Sequence, residues 1–117
     1  MRNLRAFSLI ELMVAVAILA VALTGALLTY VNCMLLNESS RNMVIAACDA
    51  QHVLEELRAL NYGSISGYTA PVFSNLNNET VTLTSTVGSS VATVNVDISW
   101  QERQVSKNLS ISARIAK

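Results

Sequence analysis

The chain has 117 residues, 52% of them hydrophobic and only 14% charged, with a formal net charge of zero. Soluble domains carry roughly 25% charged residues, so part of this chain is built to leave water. The length suits one small domain, and the absence of a basic stripe or Lys/Arg cluster excludes the electrostatic footprint of a nucleic-acid binder.

Met1 to Ala6 is a short basic stub carrying Arg2 and Arg5. Phe7 to Leu36 is an apolar run of Ala, Leu, Val, Ile and Met, with Gly25 its one breaker and Glu11 its one formal charge. At 1.5 Å per residue, Leu12 to Val31 reaches across a hydrocarbon core of about 30 Å. The polar run Asn37-Glu38-Ser39-Ser40-Arg41-Asn42 marks the exit from lipid. Beyond it, Met43, Ala47, Ala50, Leu54 and Leu57 recur at four and three residues and define one helical stripe. Asp49, His52, Glu55, Glu56 and Arg58 lie mostly off that stripe. The spacing predicts one long helix, apolar all round in its first half and half-buried over 37–60, ended by Gly63, Gly67 and Pro71.

Residues 61–79 read as a loop, and strands follow over 80–116. Val81, Leu83 and Val87 alternate with Thr and Ser. Val94, Val96, Ile98 and Trp100 alternate with Asn, Asp and Ser. Leu109, Ile111, Ala113 and Ile115 alternate with Ser and Arg. Period-2 alternation predicts a sheet with one buried face. Gly88-Ser89-Ser90 is the expected first turn and Gln101 to Lys107 the second, which favours an antiparallel meander. The expected fold is α+β, with the second half of the helix packed on that small meander and Trp100 in its core. Tyr62 and Tyr68 are expected to pack the loop after the helix. A soluble part of about 75 residues has a marginal core, so neighbouring subunits are expected to contribute to its stability.

Cys33 and Cys48 are too few for a disulfide framework. On one helix they stand roughly 22 Å apart, and a bridge needs Cα atoms within about 7 Å. They read as small buried hydrophobes, with a cross-link between subunits as the alternative. Cys48 and His52 share a helix face at i, i+4, but two ligands do not make a metal site. Adjacent Glu55 and Glu56 point in different directions and read as a polar face. No serine-elbow or phosphate-loop pattern appears, so no enzyme, cofactor or metal is expected.

An ordinary secretory signal has an apolar core of about 7 to 15 residues ending at a small-x-small site. This run is longer and ends in Thr29-Tyr30-Val31-Asn32-Cys33. The residues Ala6-Phe7-Ser8-Leu9-Ile10-Glu11, with about twenty apolar residues after them, instead resemble the prepilin processing motif of type IV pilins and pseudopilins. The resemblance implies cleavage between Ala6 and Phe7 by an inner-membrane prepilin peptidase, N-methylation of Phe7, and an assembly role for Glu11. A carboxylate in lipid costs on the order of 3 kcal/mol. By resemblance Glu11 meets the cationic Phe7 amine of an adjacent subunit, which offsets that cost and sets register. Read without the motif, Glu11 equally suits a residue snorkelling to the interface. Arg2 and Arg5 hold the stub in the cytoplasm by the positive-inside rule.

Two departures stand out. Ala6 occupies the position where the family usually has glycine, whose bare backbone suits a protease site, and implies slower cleavage. Leu28 occupies the position of a kinking proline of many major pilins. AACDAQHVLEELRAL from Ala46 to Leu60, with Tyr62 and Ile98-Ser99-Trp100, is most similar to PilV-type minor pilins, and the minor pseudopilin I of type II secretion has a similar layout. The implied protein is a minor type IV pilin that initiates or tips the filament. Its expected divisions are a cleaved stub at 1–6, a transmembrane and assembly helix at 7–36 and a periplasmic or extracellular domain at 37–117. Its implied partners are other pilins, the prepilin peptidase, an inner-membrane assembly platform and membrane lipid. A type II secretion pseudopilin and an uncleaved single-span inner-membrane protein with a small periplasmic binding domain remain the alternatives.

Overall fold

The computed structural model describes residues 7–117, and the basic stub lies outside them. The element order is α1 (Leu9–Ala59), a 3-10 helix (Tyr62–Gly67), β1 (Thr80–Val87), β2 (Val91–Glu102) and β3 (Val105–Ala116). The chain divides between Glu38 and Ser39 into two compact units.

In the first unit, α1 is a lone helix. Every residue from Phe7 to Met34 is exposed. Two hydroxyls there have no water-seeking role. Thr24 Oγ1 donates to the Ala20 carbonyl at 2.8 Å, and Thr29 Oγ1 donates to the Gly25 carbonyl at 3.0 Å. Both are thereby satisfied within the helix itself, as an apolar surrounding requires. The helix is long and apolar enough to cross a membrane by length and composition, and none of its most apolar stretch is buried.

The second unit is an α+β layer. The sheet is antiparallel in the order β1-β2-β3. Its register sets Leu83 opposite Val96 and Val96 opposite Ile111, and likewise Val81 opposite Ile98 and Ile98 opposite Leu109. One face is thus apolar across all three strands, while Thr82, Asp97 and Ser110 line up on the other. Ala92, Val94, Val96, Ile98 and Trp100 of the central strand are buried in one cluster with Ala46, Ala50, Val53, Leu54 and Leu57 of α1. Ile65 and Leu76 close that core from the connecting segment.

The buried stripe is not quite the expected one. Ala50, Leu54 and Leu57 are buried, but Met43 is 43% exposed, and Ala46, Asp49 and Val53 are buried instead. At about 100° per residue this turns the stripe by roughly half a residue step. The sheet selects the small Ala46 and Ala50 for its close contact and leaves the bulkier Met43 outside.

Both cysteines are exposed, contrary to the expectation of burial. Cys33 lies in the uncovered half of α1, and Cys48 lies off the buried stripe.

Both turns are tight. Gly88 N–H donates to the Val91 carbonyl at 3.0 Å. A Cβ at Gly88 would stand 2.9 Å from that same oxygen, so the turn excludes any side chain. The second turn is shorter than expected. β2 runs on to Glu102 and β3 starts at Val105, leaving only Arg103 and Gln104 between them. Both have positive φ, 49° and 67°, the two-residue geometry whose twist matches paired strands. Asn-Gly or Asp-Gly would announce such a turn, whereas Arg-Gln costs about 1–2 kcal/mol per residue in left-handed backbone. The long β2–β3 ladder offsets that cost.

Candidate functional site

Phe7 is the first described residue and is 78% exposed. Ala6, Arg2 and Arg5 lie outside the described residues, and so does the expected scissile bond. The helix starts immediately after Ser8. The Ser8 carbonyl accepts from Glu11 N–H at 3.0 Å and from Leu12 N–H at 3.1 Å. Glu11 therefore occupies the first turn, the only acidic group there. The unpaired N–H groups of that turn carry partial positive charge, which favours a carboxylate at this depth. Ser8-x-x-Glu11 is also the spacing of a capping box, a local signal that the motif reading overlooked. Glu11 is exposed, and no hydrogen bond or ion pair of its carboxylate occurs among the described residues. The segment thus offers one carboxylate at the head of an uncovered apolar helix.

At the other end of α1, side chains tie the long connecting segment down. Tyr68 Oη donates to Glu56 Oε2. Burial, then the hydrogen bond and charge of Glu56, push the Tyr68 phenol up to about 12. Tyr62 Oη donates to the Gly88 carbonyl at 2.9 Å and fixes the first turn. Asn78 takes φ 51°, a conformation asparagine tolerates, and donates through Nδ2 to Gln101 Oε1 at 2.7 Å. Gln101 N–H donates to the Asn77 carbonyl at 2.9 Å. At the far hairpin, Asn42 Nδ2 donates to Glu102 Oε2 at 3.3 Å. Burial pushes the Glu102 carboxyl up, but the Asn42 hydrogen bond, Ser39 and the nearby Lys107 charge outweigh it and hold it below the ordinary value.

Asp49 was expected to lie off the stripe, and it is buried. Its partner is Asn75, whose Nδ2 lies 3.0 Å from Oδ1 and 3.1 Å from Oδ2. The pairing joins residues distant in the chain, so no periodicity could announce it. His52 is exposed, stands 3.4 Å from Glu56 and meets the Phe73 ring edge-on at 5.9 Å between centroids. Cys48 and His52 gain no further ligand. Among the described residues no group of three or more His, Cys, Asp or Glu side chains is arranged to hold a metal.

A long N-terminal helix followed by a three-stranded antiparallel sheet is an α+β, pilin-like architecture, and its exposed apolar start fits a membrane-anchored subunit. Residues 1–27 match the family model described as the prokaryotic N-terminal methylation motif. That motif is the type IV pilin and pseudopilin signal, a structural motif rather than an enzymatic one, and its match covers the N-terminal stretch of the chain alone. No curated protein and no solved structure matches the chain.

Proposed function

We propose that this protein is a minor type IV pilin, cut between Ala6 and Phe7, methylated on Phe7 and assembled through its N-terminal helix at the initiating or tip end of a filament. The observation that carries the proposal is the methylation motif over residues 1–27, which runs into a helix whose residues are all exposed through Met34. An apolar surface of that length is stable in lipid before assembly and against neighbouring helices after it. Arg2 and Arg5 keep the stub cytoplasmic, so the sheet domain faces the periplasm and then the cell exterior. Glu11 and the freed Phe7 amine of the next subunit form the one charge pair available to this helix end, and methylation keeps that amine cationic.

Leu28, where many major pilins carry a kinking proline, favours a low-abundance subunit over the body of the fibre. A minor pseudopilin of type II secretion is the second reading, favoured by the Val94-x-Val96-x-Ile98-x-Trp100 strand. Recovery of the chain in sheared surface filaments supports the pilus, and co-purification with secretion pseudopilins supports the second reading. Within either system, Glu11→Ala is expected to enter the membrane normally yet lose most of its incorporation into filaments. Wild-type incorporation of that variant would refute the charge-pair mechanism.

A further inference from the structure

Two carboxylates meet where the connecting segment crosses α1. Asp49 is buried on the helix and accepts from Asn75 Nδ2 at both of its oxygens. Glu79 folds back over the same turn, and its Oε2 accepts from the backbone N–H groups of Asn75 at 3.0 Å and Leu76 at 3.1 Å. Asn75 joins the two carboxylates, its side chain meeting Asp49 and its backbone N–H meeting Glu79, and Asp49 acts on Glu79 as its charged neighbour. The second Glu79 oxygen, Oε1, is buried and has no donor among the described residues. Two ionised carboxylates in this position repel each other and have no proton to bond with. A single proton converts the contact into an O–H···O⁻ hydrogen bond, one of the stronger kinds.

We propose that Asp49 and Glu79 share one proton in the folded protein, and that this proton latches the turn Asn75–Glu79 onto α1. The surroundings favour it. Burial is the largest influence raising the Glu79 carboxyl, Asp49 adds to it through its hydrogen bond and its charge, and the two backbone N–H bonds pull the other way without prevailing. Asp49 is the charged group acting on Glu79. From α1, His52 is turned to Glu56 and Phe73. From β2, the neutral Gln101 holds Asn77 and Asn78. Because the folded state binds this proton more tightly than the unfolded chain, the latch is complete below the ordinary glutamate range. Stability falls as pH rises from there through the raised Glu79 value.

Thermal unfolding of the full chain in detergent micelles tests the latch. Trp100 is the only tryptophan and is 2% exposed, so its fluorescence reports the sheet domain. The wild-type Tm is expected to fall by several degrees between about pH 5 and about pH 8, with the folded-to-unfolded ratio losing at most about tenfold per pH unit. Glu79→Gln keeps an acceptor for Asn75 and Leu76 and turns a permanent N–H toward Asp49. It is expected to melt above wild type at about pH 8 and to lose the pH slope. Asp49→Asn is expected to flatten the slope as well. An unchanged slope in Glu79→Gln, or a variant that melts lower or fails to fold, would overturn the proposal. So would a calcium-induced rise in the wild-type Tm that Glu79→Gln lacks, since the pair would then hold a cation rather than a proton.

Discussion

From Phe7 to Met34 every residue of α1 is exposed, whereas between Ala46 and Leu57 six are buried. The two stretches belong to one unbroken helix and are both rich in Ala, Val and Leu. They differ in what stands opposite. The later stretch has a sheet whose apolar face matches its stripe, and the earlier one is left exposed among the described residues. Apolar content alone therefore does not make a core. The helix's second half is completed by its own fold, and under the proposed function its first half is completed by lipid or by other subunits.

Substitutions sharpen that contrast. Leu57 is fully buried in the core between helix and sheet. Leu57→Ala is expected to cost the sheet domain about 2–5 kcal/mol, read from the Trp100 transition in micelles, which is enough to unfold a domain this small. Next in size is Gly88→Ala, which drives a methyl to 2.9 Å from the Val91 carbonyl. The turn must open, with an expected loss of about 1–3 kcal/mol in the same measurement. Leu23→Ala removes as much side chain as Leu57→Ala, from a residue that is 57% exposed. Its expected effect on that transition is under about 0.5 kcal/mol. Equal losses from Leu23 and Leu57 would break the distinction between the two halves of α1.

Much of this was legible in the residues. Alternation located Val94, Val96, Ile98 and Trp100 on one face because each strand's pattern is complete within itself. The helix stripe was legible at Ala50, Leu54 and Leu57 and misplaced at Met43, since only the sheet decides which flank of a broad apolar face it covers. The Arg103-Gln104 turn was missed because neither residue favours positive φ, and its geometry is imposed by the ladder on either side. The candidate processing and assembly segment was readable because it is contiguous: a basic stub, Phe7, Glu11 and an apolar run within one short stretch. Asp49, Asn75 and Glu79 were not readable, because folding brings them together from separate elements and each alone looks like an ordinary polar residue.

The most direct test of the account is the mass of the mature N-terminus, measured on protein recovered from cells with an active prepilin peptidase. The account predicts a chain that begins at an N-methylated Phe7. A chain that retains Met1 under those conditions would contradict it and leave an uncleaved single-span membrane protein.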